Sequence, residues 1–316
     1  MEKCPPQFDI SHFAPIWQGM LMNQVAPRRA LLLLNPNART GDAPLGSALS
    51  VLAAAGISVE VERYGSAAEV SADIVRRGRN FNLAIVGGGD GTVNAAARGI
   101  LETGLPMGIL PMGTANDLAR TLSIPLDLTE AAEVIVAGAT RRIDVGDVNG
   151  HLFFNVASIG LAAELARRLN PTTKKRWGRL AYAIAALQSL LSARPFSAVI
   201  VTKEGETRVR TLQIAVGNGR HYGGGTVIEA SAAIDDGHLD LYSLEVSSVW
   251  KLALMLRDFR RGSHGLWSEV RTHRCTEFEV RTRKPRPVNT DGDLVTFTPA
   301  RFTIRPSAVS VFAPAA

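Results

Sequence analysis

From Arg29 onward the chain alternates uninterrupted apolar runs with stretches of helical period. ALLLLNP, from Ala30, has no polar side of its own, the pattern of a strand buried on both faces of a parallel sheet. PLGSALSVLAAAG follows, with Leu45, Leu49 and Leu52 on one helical face and Gly56 as the stop. ISVEVERY then alternates with the period of a strand, SAAEVSADIVRRG returns to the helical period and closes at Gly78, and FNLAIV is a second apolar run. Parallel neighbours need long crossovers, so the order β-α-β-α-β predicts a parallel sheet covered by helices. LPMGILPMGTANDLARTL repeats the theme as a short strand, a glycine turn and a helix start.

After about Arg142 the pattern changes. IDVGDVNGHLFFNVAS alternates on both sides of Asn149-Gly150, a pair that favours a type I′ hairpin turn. AVIVTKEGETRVRTLQIAV reads as a second hairpin, GHLDLYSLEV and TEFEVRT as further strands, and ARFTIRP and VSVFAP close the chain. The second half is therefore mostly antiparallel sheet, interrupted by two helical stretches, KKRWGRLAYAIAALQSLLSA and SVWKLALMLRDFRRG. The expected units are an arm over 1–28, an α/β domain over 29–142 and a β domain over 143–305, with 306–316 returning to the α/β domain.

Composition narrows the class. At 316 residues and 46% hydrophobic content the chain can bury a large core. A formal charge of +6, from 35 Lys and Arg against 29 Asp and Glu, suits an anionic partner without choosing one. Cys4 and Cys275 form no CxxC pair, which favours a reducing compartment, here expected to be the cytoplasm. The N-terminus is broken by Glu2, Pro5, Pro6 and Asp9 and does not read as a signal peptide. No run reaches the roughly 18 apolar residues of a spanning helix, so any membrane contact is expected to be peripheral.

The candidate chemistry lies in LAIVGGGDGTVNAAARGIL, Leu83 to Leu101. Glycines at the carboxyl end of a parallel strand let backbone N–H groups approach a phosphate, and a helix from about Thr92 adds a favourable dipole end. The segment is neither a Walker A loop nor a full GxGxxG, since Thr92 takes the last glycine position. Asp90 inside such a cradle would repel phosphate unless a cation intervenes, which suggests Mg²⁺ with a nucleoside polyphosphate; capping the helix is the alternative reading. PMGTANDLA offers Gly113, Thr114, Asn116 and Asp117 at a second helix head, and NPNART adds a third polar loop at the same sheet edge.

Together these segments resemble the diacylglycerol kinase catalytic-domain family, in particular soluble bacterial lipid kinases related to sphingosine and ceramide kinases. GGGDGTVN resembles the GGDGT signature, PMGTANDLA the PxGTxND element and NPNART the NP loop. GNGRHYGGGTVIEASAAIDDGHLDL resembles the second-domain segment, and VNTDGD followed by TPARFTIRPSAVSVFAP resembles the DGE element and closing strands. The resemblance implies an α/β nucleotide-binding domain and an antiparallel β-sandwich domain, with the active site in the cleft between them. It implies ATP as donor, Mg²⁺ as metal and a lipid hydroxyl as acceptor. Asp291 matches the general base and Asp293 its supporting carboxylate. Asn35, Pro36, Asn37, Arg39, Gly88, Gly89, Asp90, Gly91, Thr92, Asn94, Gly113, Thr114, Asn116 and Asp117 match the nucleotide site, with Asp90 and Asp117 in a water-linked network at the catalytic magnesium. Asp236, with backbone oxygens of Ala233 and His238, matches a structural Mg²⁺ site.

The chain departs from the pattern in places. A basic contact in the first loop falls to Arg39, DGE becomes Asp291-Gly292-Asp293 with one methylene fewer, and Tyr64 or Ser66 stands where some relatives place a nucleotide-contacting Thr. Two basic clusters suit an anionic membrane surface: Arg167, Arg168, Lys174, Lys175, Arg176 and Arg179 near Trp177, and Arg281, Arg283, Lys284 and Arg286 before Asp291. Solvated charges beside a core-packed helix are the other reading of the first cluster. Interleaved stacking aromatics are missing, which argues against nucleic acid, and a homodimer is left open. The competing functions are an NAD kinase-like nucleotide kinase and a catalytically silent lipid- or nucleotide-binding regulator.

Overall fold

The computed structural model describes residues 28–35, 42–168, 194–219, 221–222, 226–227, 233–246 and 270–315. The expected N-terminal arm and the two helical stretches at 174–193 and 248–262 lie outside these residues. In the first half, β1 (Arg28–Leu34) runs parallel between β2 (Ile57–Arg63) and β3 (Leu83–Gly88), and β3 runs parallel to β4 (Met107–Pro111). The apolar run Ala30 to Leu34 is buried throughout because helices cover both faces of its sheet. α1 (Asp42–Ala54) packs on α5 (Leu128–Ala137), and α2 (Ala67–Arg77) packs on α3 (Asp90–Thr103); the short α4 (Asp117–Thr121) follows β4.

The two halves share one sheet. β18 (Ala300–Phe312) pairs in parallel with β4 through Val311 and Met107, and antiparallel with β5 (Thr140–Val148) along most of its length. Its other end pairs with β15 (Glu277–Thr282), which is followed outward by β8 (Phe196–Thr202) and β9 (Gly205–Thr211). Arg142, where the pattern of the chain changes, lies inside β5. The hairpin from β5 to β6 (His151–Phe153) turns at Asn149 and Gly150 with φ of 51° and 84°, as a type I′ turn requires.

A short ribbon pairs β11 (His221–Tyr222) with β12 (Thr226–Val227), and a second, six-stranded antiparallel sheet runs β14 (Val270–Cys275), β13 (Leu239–Leu244), β10 (Gln213–Gly217), β7 (Val156–Gly160), β16 (Pro287–Thr290), β17 (Asp293–Phe297). The two sheets face each other over one core: Phe153, Phe278, Val280 and Phe302 from the first meet Ile159, Ile214, Val216, Leu239 and Leu241 from the second. One expectation is corrected here. TLQIAV does not continue the second hairpin, because β9 ends at Thr211 and Gln213 to Val216 belong to the other sheet. The Thr211 hydroxyl bonds the carbonyls of Gln213 and Leu244 at 2.8 and 2.9 Å, fixing a corner that alternation alone does not reveal.

Asp144 on β5 is buried and binds two loops, accepting the amides of Gly237 and Ser307 at 2.6 Å each. It thereby ties the 233–238 turn and the middle of β18 to the shared sheet.

Candidate active site

The glycine turn is tighter than the sequence suggests. β3 continues through Gly87 and Gly88, which pair with Leu110 and Pro111, and α3 begins at Asp90 rather than about Thr92, with Gly89 as its N-cap. A Cβ on Gly88 would stand 2.4 Å from Thr92 Oγ1, so the absent side chain lets Thr92 fold back over the strand end. There its hydroxyl accepts hydrogen bonds from Tyr64 Oη at 3.0 Å and Asn35 Nδ2 at 3.2 Å. Three loops, after β1, β2 and β3, are thereby joined. Tyr64 is buried, whereas Ser66 is exposed and bonded to Glu69, so of the two residues left open Tyr64 belongs to this network. Burial raises the Tyr64 phenol above its usual range.

The second glycine turn abuts the first, leaving no room for a side chain between Gly89 and Gly113. Asn116 holds it in the left-handed conformation, φ 51°, while its side chain accepts from Gly113 N at 2.9 Å and donates to Gly113 O at 3.1 Å. Gly113 and Thr114 remain exposed, and Asp117 is buried. Asp90 does not cap its own helix: its carboxylate accepts the Leu118 amide at 3.2 Å and so binds the start of α4. Burial, and next the Asp117 charge, raise Asp90 above the ordinary carboxylate range. Asn94 Oδ1, one turn into α3, is buried with no hydrogen-bond partner among the described residues. Pro36, Asn37 and Arg39 lie outside the described residues.

Opposite the turns stands the β16–β17 hairpin. Asp291 and Gly292 form its two-residue loop, both at positive φ, 47° and 104°. The Asp291 amide donates to Val156 O, and its carboxylate receives three backbone amides from the segment leading into β7: Phe154 at 2.8 Å on Oδ2, and Asn155 at 3.1 Å and Val156 at 3.0 Å on Oδ1. These donors favour the ion, but desolvation outweighs them, and together with the nearby Asp90 charge it raises Asp291 from 3.8 to about 7. A Cβ on Gly91 would lie 3.6 Å from Asp293 Oδ2, which places Asp293 at the first turn of α3. Asp90, Asp117, Asp291 and Asp293 thus gather at the glycine turns from both halves of the chain.

Such a group of carboxylates is relieved by a cation. Among the described residues no three acidic, His or Cys side chains converge to ligate one ion. At the implied structural metal site the Asp236 carboxylate is engaged by protein groups. Asp236 accepts the amides of Ala233 at 3.1 Å and His238 at 2.9 Å, and Arg274 Nη2 lies 2.7 Å from its Oδ2. Oδ2 thus accepts two donors, one of them a guanidinium standing where a cation would, and Oδ1 accepts one.

Residues 29–148 match the diacylglycerol kinase catalytic domain, and residues 155–313 match the YegS C-terminal NAD kinase beta sandwich-like domain. A diacylglycerol kinase of Mycobacterium tuberculosis is 35% identical over 245 residues, covering 75% of this chain and 78% of that one. The chain belongs to the diacylglycerol kinase catalytic-domain family. A diacylglycerol kinase of Bacillus subtilis is 30% identical over 227 residues, covering 71% of this chain and 75% of its own. A Bacillus anthracis crystal structure described as a diacylglycerol kinase superposes with a TM-score of 0.78 at 25% identity, covering 91% of this chain and 95% of that one. Family membership makes the chain a kinase, a phosphotransferase.

Tyr64 was one of two residues the resemblance left open, and nothing in the sequence pointed to the amides of Phe154, Asn155 and Val156. Backbone donors carry no sequence signature; only the polar Asn155 within an apolar run hints at a break between β6 and β7.

Proposed function

We propose that this kinase transfers the γ-phosphoryl group of ATP to a lipid hydroxyl, with Asp291 as the general base. The observation that carries the reading is the placement of the Asp291 carboxylate, fixed by three amides on the antiparallel half, within the field of Asp90 at the glycine turn. Oδ1 accepts two of the amides and Oδ2 one, so Oδ2 keeps a lone pair for an incoming proton. As the hydroxyl oxygen bonds to the γ-phosphorus, its proton passes to Asp291 and the bond to the β,γ-bridging oxygen breaks, releasing ADP. An acidity near 7 suits a base working near neutral pH.

The glycine turns, with Asn35, Thr92, Asn94, Gly113 and Thr114, provide the side on which the phosphates lie, and the start of α3 favours their charge. Mg²⁺ bound there would neutralise phosphate charge and draw the leaving oxygen, with Asp90 and Asp117 as the residues that hold it, directly or through water. Diacylglycerol is the acceptor that the curated relatives' names favour over a sphingoid base. The lipid is met at a membrane surface by peripheral contact, since no helix among the described residues is long and apolar enough to cross a bilayer.

The test is transfer of labelled phosphate from ATP, with magnesium, to a panel of lipid alcohols in mixed micelles. A labelled glycerolipid is expected. NADP as the only labelled product would replace the reading with a nucleotide kinase, and nucleotide binding with no transfer would make the chain a regulator.

A further inference from the structure

We infer that the β16–β17 hairpin is the element that seats this kinase on an anionic bilayer, an inference that rests on the lipid-kinase reading. Among the described residues five large hydrophobic side chains are exposed, and two of them, Leu294 and Phe297, at 42% and 59%, lie on β17. β17 is the outer strand of its sheet. Its last residue, Phe297, pairs with Pro287, beside the basic loop that connects β15 to β16.

The four cations of that stretch do not have equal freedom. Arg281 is held by Glu279 and Glu206, and Arg286 lies over the Phe196 ring at 4.0 Å. Arg283 and Lys284 are exposed and make no ion pair with the described residues. An exposed Phe flanked by two uncommitted cations is the composition of an interfacial anchor: the ring enters the headgroup boundary while the cations meet anionic lipid.

The position suits the chemistry. Leu294 pairs with Asn289 and Phe297 with Pro287, so at roughly 3.3 Å per residue they lie about 7 and about 13 Å from Asp291 along the hairpin. A lipid hydroxyl lies at the headgroup boundary, so seating β17 there brings the base to the depth of its substrate. A second copy of the chain is the weaker occupant. Asn289 pairs with Leu294 and Val288 with Thr296, leaving Val295 as a bulge that twists this short edge away from strand addition.

The experiment is co-sedimentation with vesicles of phosphatidylcholine, with and without phosphatidylglycerol, for the intact chain, Phe297→Ser and the double variant Arg283→Gln/Lys284→Gln. Melting temperature and ADP affinity serve as folding controls. The intact chain is expected to bind the anionic vesicles, less so as salt rises. The double variant should bind the anionic vesicles about twenty-five-fold more weakly, at about fivefold per cation, and Phe297→Ser should lose binding to them. Equal binding by folded variants overturns the inference while leaving the lipid-kinase reading intact. So does a dimer that Phe297→Ser dissolves while vesicle binding persists in neither form. Absence of lipid phosphorylation by a chain that binds vesicles through this hairpin would sink the catalytic reading alone.

Discussion

Gly113 stands against Gly89: a Cβ built on Gly113 would lie 2.4 Å from the Gly89 Cα and 2.7 Å from Asn116 Oδ1. Both neighbours are fixed, one as backbone and the other by its bonds to Gly113 itself. Gly113→Ala must therefore spread the two turns, at a cost of about 1–3 kcal/mol for forced overpacking, and should weaken ADP binding by more than it lowers stability. Gly46, inside α1 with nothing within 4 Å of its Cβ position, is the control. Gly46→Ala should stabilise by about 0.5–1 kcal/mol. Urea unfolding and ADP titration of both variants test the pair, and unaltered ADP affinity in Gly113→Ala would remove the turn from the nucleotide site.

Asp291→Asn keeps the size of the side chain but ends its capacity as a base. The expected loss in kcat is about 10²–10⁴, with ADP affinity little changed. Turnover near that of the parent would mean that another group takes the proton.

The acidity of Asp291 also predicts a pH dependence. The base works ionised, so kcat/KM for the lipid should climb with pH and level off above about 7, a limb that Asp291→Asn lacks. Stability should move the other way. The folded value lies above the ordinary 3.8, so the native state holds the proton more tightly than the unfolded chain, and this group's contribution falls as pH rises from 3.8 to about 7, then stays level. Denaturation midpoints of the parent minus those of Asp291→Asn, measured across that range, isolate the effect; a flat difference contradicts the raised acidity range of the carboxyl.

The parallel half of the fold was legible because its strands are continuous apolar runs and its helices carry one apolar face, and both signals are local. The corner at Leu212 was not, because alternation continues through it while the chain crosses from one sheet to the other. Asp90 shows the same limit at the site. Its residue type and position suggested a cap, and it is one, but for α4 rather than for the helix it begins. Asp236 was read by resemblance as a metal ligand, and the guanidinium that pairs with it, that of Arg274, comes from β14, far away in sequence.

That long-range pair supports the last prediction. Arg274 and two amides bond Asp236, and Arg141 pairs with the adjacent Asp235 through two bonds of 2.7 Å, so the 233–238 turn is braced by guanidinium groups from two different sheets. Asp236 is only partly exposed, and removing its carboxylate leaves the Ala233 and His238 amides and Arg274 without their acceptor. Asp236→Ala should therefore cost about 1–3 kcal/mol. If the brace is built from protein groups, the melting temperature without nucleotide should show no saturable rise with magnesium in either the parent or the variant. Arg274→Gln discriminates further: with the guanidinium gone, Asp236 is an uncompensated carboxylate, and a magnesium response appearing only in that variant would show that the arginine fills the place of a cation. A magnesium response already present in the parent and absent in Asp236→Ala would instead restore the metal site.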